Sequence, residues 1–462
     1  MTFTGATLRI HHGARDKEVR SEKSSFRGVL LIDTAIRPTT VSRMNTPRVL
    51  ALSGCLASLL VHTSLSAGVD WYRWRGPDLN GISKETGWSV AWPVDGPTRL
   101  WKASVGIGFS SVSVAGGRAF TMGNAEDKDT VFAIDAATGA TVWMHTYDCE
   151  LDPRYYDGGP STTPTVDGSK VYTLSRKGQL FCFDAATGKI DWQKNVNDEL
   201  ALTTFKENTP EWGYSGSPLI IGEKLIVNVG TAGAAFDKAS GKLLWSTGKL
   251  LSGYSTHVPF NVGSEQYLAV FGAKGAHAVG LNDGNLQWSY SFETSYDVNA
   301  ADPIISGNKV FISSGYNRGA ALFEFAGNQT TKIWENKNMR NHFNSCVLID
   351  GHLYGMDGDH GRKDSTLKCI DFATGSVKWQ EKSIRPGGLI AADGKLIIMS
   401  DTGELVVAQA TPESFKPLAR AQILGGKCWT VPTLSQGRIY ARNSKGDVVC
   451  VDVSGKSTAS RN

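Results

Sequence analysis

The side chains best suited to chemistry are Phe109, Tyr156, Trp212, Tyr214, Tyr254, His257, Tyr296, Asp302, Arg340, His342, Arg385, Lys427 and Trp429, in short segments of unlike sequence. Aromatic rings beside Arg, Lys and His suit an extended peptide or a planar acidic ligand, through stacking and charge-assisted hydrogen bonds. Trp212 and Trp429 would also suit a carbohydrate. Nothing orders these residues into a catalytic triad, and the chain has no G-x-S-x-G, no H-E-x-x-H and no phosphate loop. The plainer alternative is a solvated rim with a few satisfied His and Arg side chains. Asp357, Asp359 and Asp364 lie close together but lack the terminal Glu and the regular spacing of a calcium loop, so they read as a charged hairpin tip. No C-x-x-C pair is present, so no metal ligands are expected.

What must position these segments is a repeat. Ala133 to Trp143 reads AIDAATGATVW, and its pattern A-x-D-x-x-T-G-x-x-x-W returns at Cys182–Trp192, Ala235–Trp245 and Cys369–Trp379. Ala278–Trp288 is a weaker copy, Glu324–Trp334 keeps only the Trp, Ala408–Leu418 keeps little, and a half-copy begins at Cys450. The tryptophans, starting from an orphan Trp101, recur 42 to 53 residues apart, the period of a four-stranded propeller blade. Before each motif a Pro or small apolar residue stands seven positions ahead of a hydrophobic one, as in Pro164 with Val171 and Pro303 with Val310. Asp-Gly or Gly-Gly turns lie between the two, and Thr-Gly turns the third strand into the fourth. The expectation is an all-β fold, an eight-bladed β-propeller of four-stranded antiparallel blades. Trp101 supplies the outer strand for the half-copy at Asp452, so the N- and C-terminal strands close the ring. Asp135, Trp143, Asp184, Trp192, Asp237, Trp245, Trp288, Trp334, Asp371 and Trp379 are expected to dock blade on blade. The chemical segments then precede the innermost strands and ring one opening of a central funnel.

Residues 1–43 read as a disordered extension or an over-long gene start, and residues 44–67 as a secretory signal with Arg48, an apolar run from Val49 to Val61, and small residues up to Ala67. Residues 68–462 are expected to form the propeller. Leu52-Ser53-Gly54-Cys55 resembles a bacterial lipobox, making Cys55 a candidate for lipidation, although the apolar run continues past it as in an ordinary signal core. Without residues 1–67, 39 Lys and Arg face 40 Asp and Glu, which removes the case for a nucleic-acid partner. Cys182, Cys369 and Cys450 occupy the first motif position and read as small buried strand residues; Cys149, Cys346 and Cys428 are irregularly placed.

The motif resembles the PQQ-like repeat superfamily, which holds the quinoprotein alcohol dehydrogenases and the BamB-type outer-membrane assembly lipoproteins. The opening Trp74-Arg75-Gly76-Pro77 looks like the entry of a group of exported bacterial members. The BamB type implies a non-catalytic scaffold in the periplasm or cell envelope, without cofactor, binding an envelope protein or extended peptide and touching the membrane only through a lipid on Cys55. The quinoprotein type implies pyrroloquinoline quinone (PQQ) in the funnel, a calcium held by Glu, Asn and Asp, an Asp base and adjacent cysteines. This chain has no adjacent cysteines, and Asp297 and Asp302 suggest a base by location alone. The scaffold is the favoured reading and the PQQ-dependent alcohol or sugar dehydrogenase the alternative.

Overall fold

A computed structural model describes residues 69–202 and 209–455; the expected extension, signal sequence and Cys55 lie outside them. Eight sheets follow one another along the chain, each a four-stranded antiparallel blade, and Ile82–Ser83 adds a fifth, parallel strand against the innermost strand of the seventh. Blade 1 consists of Ser113–Ala115, Arg118–Ala125, Lys128–Asp135 and Thr141–Asp148, from the innermost strand outward. Blades 2 to 7 occupy 165–195, 219–246, 258–291, 304–336, 347–381 and 388–422. Blade 8 is Thr433–Ser435, Arg438–Arg442 and Asp447–Asp452, and its outer strand is Arg99–Ser104, with Trp101 opposite Cys450. The ring therefore closes as the sequence implies, and closure leaves no unpaired blade edge at the seam. Arg442, buried beside that seam, donates to the carbonyls of Ser110 and Met122 in blade 1 at 3.0 and 2.6 Å, and burial lowers its pKa to about 9. Among the described residues no helix is long and apolar enough to cross a membrane.

Docking between blades rests on the motif Trp, a carbonyl and a glycine. The indole Nε1 of Trp101, Trp143, Trp192, Trp245, Trp334 and Trp379 donates to the carbonyl of Ala136, Ala185, Lys238, Leu281, Phe372 and Thr411 respectively, at 2.8 to 3.1 Å. Each acceptor lies in the next blade, at the third-to-fourth strand turn. The turn glycine presses on the same indole: a Cβ on Gly284, at φ +69°, would stand 2.5 Å from Trp245. The motif aspartates do something else. Asp135 accepts from the backbone N–H groups of Ala137 and Thr138 and from the Thr138 hydroxyl, and Asp184, Asp237 and Asp371 hold their own turns in the same way. They shape the turn that presents carbonyl and glycine, and do not themselves bridge blades.

In all eight blades the register shifts one residue before the motif Trp position. This recurring bulge leaves the residue before the indole unpaired and outward, which accounts for the exposure of Leu100, Val142, Leu244 and Ile333. The worn copies are longer hairpins. Trp334 pairs with Leu322, not with Glu324, and in blade 7 Ala419 faces Val407, so Ala408–Leu418 is displaced from the true repeat. Two consequences follow. Blade 5 turns without the Thr-Gly element, so buried Trp288 has no hydrogen-bond partner for Nε1 and stacks on Phe325 at 5.6 Å. Blade 7 offers Ala419 in place of an indole, and Trp88 from the N-terminal segment joins the apolar cluster shared with blade 8.

Candidate functional site

Before entering its first full blade the chain runs around the axis, at the end where innermost strands turn into second strands. The carbonyl of Trp71 accepts from Val114 in blade 1, that of Tyr72 from Val166 in blade 2, and that of Gly81 from Ala391 in blade 7. Glu85 accepts from the N–H groups of Gln436 and Gly437 in blade 8. Between these contacts, Trp74 and Arg75 reach into the axis. Trp74 Nε1 donates to Asp302 Oδ2 at 2.7 Å, Thr256 N donates to Asp302 Oδ1 at 2.7 Å, and Arg75 Nε lies 3.6 Å from Asp302 Oδ2. Arg75 also donates to the carbonyl of Cys346 at 2.8 Å. Burial pushes the Asp302 carboxyl up in pKa, with Arg75 opposing it. The N-terminal segment thus plugs one end of the channel, and Asp302 anchors that plug.

Above Trp74 a funnel cavity of about 280 Å³ opens toward the loops that enter the innermost strands. Nine aromatic rings follow one another around it in the order Tyr156, Phe109, Trp429, Phe343, His342, Tyr316, Tyr296, Trp212 and Tyr254, with neighbouring centroids 3.7 to 6.3 Å apart. Phe109, Tyr156, Trp212, Tyr254, Asp302, His342 and Trp429, named from sequence, line the cavity, while Tyr296 stands exposed at its mouth. The structure adds Trp74, Phe343, Tyr316 and His360. Phe343 lies within the RNHFNS segment. Tyr316 and His360 come from hairpins between second and third strands, which open on the same end, a geometry that the blade topology could have exposed.

Two sequence-named residues point elsewhere. His257 is buried between blades, its Nε2 2.9 Å from the Ala232 carbonyl, and burial lowers its pKa to about 4. Tyr214 is fully buried and donates to Asn197 at 2.8 Å. The named cations stand at the rim, each held by a carboxylate. Arg340 binds Asp357 through two nitrogens at 2.9 and 2.7 Å, with Lys368 on the same carboxylate at 2.8 Å. Arg385 lies 2.9 Å from Asp401, and Lys427 3.1 Å from Asp157 and 4.6 Å from the Trp429 ring centroid. Asp359 accepts from Tyr316 N at 2.7 Å, and among the described residues no three His, Cys, Asp or Glu groups converge to hold a metal. The cysteines of the described residues are all buried and free.

On the wall formed by blades 6 to 8, His360 N donates to His342 Nδ1 at 3.1 Å, and His360 Nε2 lies 3.0 Å from the Gly387 carbonyl. A carbonyl only accepts, so neutral His360 carries its proton on Nε2; by the same logic neutral His342 carries its proton on Nε2. Burial lowers both, His360 to about 4. His342 Nε2, His360 Nδ1 and Thr430 Oγ1 are buried with no hydrogen-bond partner.

The blades, their Trp-to-carbonyl docking and the axial funnel define a PQQ-like eight-bladed propeller. The family model described as outer membrane protein assembly factor BamB matches residues 127–381, and the chain belongs to that family. BamB of Moranella endobia (strain PCIT) is 22% identical over 295 residues, covering 61% of this chain and 72% of that protein. The crystal structure of BamB from Moraxella catarrhalis shares the fold with a TM-score of 0.55 at 15% identity, covering 77% of this chain and 99% of that one. The quinohemoprotein alcohol dehydrogenase from Comamonas testosteroni does so with a TM-score of 0.58 at 14% identity, covering 85% and 82%.

Proposed function

We propose that this protein is an exported, non-catalytic scaffold of the BamB type that docks an envelope protein on the end of the propeller bearing the funnel mouth. The observation that carries the reading is the exposure there of Tyr155, Leu250 and Tyr296, at 92%, 71% and 66%, on connections between blades. Large apolar side chains held outward on loops of a rigid frame favour a protein contact. The relatives' name, outer membrane protein assembly factor, supports an envelope partner. Lipidation at Cys55 belongs to the same proposal.

The residues present do not fit calcium with PQQ. Asp302 is committed to Trp74, Thr256 and Arg75, the rim cations are committed to carboxylates, and no adjacent cysteines exist to cover a quinone. The test is a photo-reactive residue placed at Tyr155 or Tyr296 in cells, compared with one at Gly307 on the opposite end. Cross-links to an envelope protein from the first two positions alone are expected. Equal labelling from all three, or a cytoplasmic location of the protein on fractionation, would overturn the reading.

A further inference from the structure

Left-handed backbone singles out the rings at the funnel mouth. Among the described residues the aromatic side chains on a positive φ are Tyr155, Tyr296 and Tyr316, at +64°, +61° and +50°, and all three stand around this opening. A bulky residue in that region is strained, and glycine or asparagine in its place would relieve the strain. Packing within the chain repays little of it at Tyr155 and Tyr296, whose side chains are largely exposed. Strain kept for the sake of an exposed ring points to something outside the chain that uses the ring.

Beneath these three the cavity offers further rings. Trp429 precedes blade 8 and Tyr254 blade 4, half a turn apart around the axis, and Phe343 before blade 6 stands across from Tyr156 before blade 2 in the same way, over a floor formed by Trp74. Polar lining groups are largely spent inside the wall. Ser217 Oγ accepts from Thr163 N, Thr256 Oγ1 accepts from Ser217 N, and Asn344 donates to the carbonyls of Gly387 and Trp429. A space walled by rings favours another ring, in offset or edge-to-face contact. A cavity of about 150 Å³ takes benzene, so this one, at about 280 Å³, has room for a phenol or an indole. A free ring confined there would leave Tyr155 and Tyr296 bare. A ring carried on a larger body would cover them as well, and the hot spots of protein interfaces are commonly aromatic side chains seated in such pockets. We propose that the envelope partner docks by seating one aromatic side chain, projecting from a loop or turn, in the funnel. The inference rests on the docking reading above and names the partner's anchor.

The experiment titrates the full chain with blocked peptides, acetyl-Gly-Gly-X-Gly-Gly-amide with Trp, Tyr, Phe, Leu, Lys or Glu at X, and reads binding by saturation-transfer NMR. The Trp, Tyr or Phe peptides should saturate, about fivefold or more tighter than the Leu peptide, with the strongest transfer to their ring protons. Ser215→Trp, which fills the cavity from its wall, should abolish this binding with circular dichroism unchanged; if that variant fails to fold, Ala300→Phe takes its place. In cells, cross-links from a photo-reactive residue at Tyr155 should fall about fivefold or more in the filled variant. Cross-links that persist unchanged there overturn the proposal and leave docking standing. It is also overturned if no aromatic peptide saturates up to about 10 mM, or if the Leu peptide or a methyl glycoside binds as tightly as the aromatic ones. No cross-link from Tyr155 in the parent protein overturns both readings.

Discussion

Trp245 and Trp288 occupy equivalent places in adjacent blades but differ in one bond, which makes the docking arrangement measurable. Trp245 Nε1 donates to Leu281 O at 3.0 Å, whereas Trp288 Nε1 is buried and unpaired. Replacing either indole with Phe removes apolar area and packing worth about 1 kcal/mol. In Trp245→Phe the Leu281 carbonyl also loses its donor, which costs a further ~1–3 kcal/mol. In Trp288→Phe an unsatisfied N–H disappears, a gain of similar size that offsets the lost area. Unfolding entropy of about 2.1 cal/mol/K per residue over roughly 390 residues converts 1 kcal/mol to about 1.2 °C. Trp245→Phe should thus lower the unfolding temperature by about 2–5 °C, and Trp288→Phe by no more than about 1 °C. Circular dichroism on heating reads both variants. Equal shifts, or a larger loss at Trp288, would refute the claim that the indole-to-carbonyl bond is what docks the blades.

Two further outcomes follow from buried charge. Asp302→Ala strands Arg75 in the core, and losing one partner of a buried pair costs about 3–5 kcal/mol, here about 4–6 °C; Asp302→Leu combined with Arg75→Met should cost measurably less than the sum of the single changes, and strict additivity would deny the coupling. Acidification should destabilise the protein. His257 and His360 titrate near 4 when folded against an ordinary 6.5, so their contribution is complete above 6.5 and lost as pH falls to 4, roughly 3 kcal/mol each. Asp129, raised to about 6 from 3.8, works in the opposite sense and returns roughly 3 kcal/mol over its window. The unfolding temperature should therefore fall between pH 6.5 and 4, with a shallower fall in His257→Gln. A rise on acidification would contradict the burial of these imidazoles.

Most of the fold was legible because each blade repeats the same solution to one problem, the burial of a sheet face against its neighbour. The Trp spacing located every blade that keeps its Trp, and Trp101 located the closure. The repeat could not align the worn copies. In blades 5 and 7 the hairpin is two residues longer, and a change of two preserves the alternation of faces, so the pattern stays plausible in the wrong register. The aspartates were legible as a recurring part of the motif but not in their role, since a turn-capping carboxylate and a bridging one look alike in sequence.

The site was legible to the extent that it derives from one kind of loop. Phe109, Tyr156, Trp212, Tyr254 and Trp429 all precede innermost strands and all reach the funnel. Tyr214 and His257 lie in the same loops yet turn between blades, because position in a loop does not fix side-chain direction. Trp74 was hidden for the opposite reason, since the segment carrying it belongs to no repeat. The charges misled most. Arg340, Arg385 and Lys427 suggest an anion site in sequence, but in space each secures a loop through Asp357, Asp401 or Asp157. Once the rim charges are spent on holding the walls, selection inside the funnel falls to ring faces and to neutral donors and acceptors. That division between a charged frame and an aromatic interior leaves the ring faces as the main contact surface of the funnel.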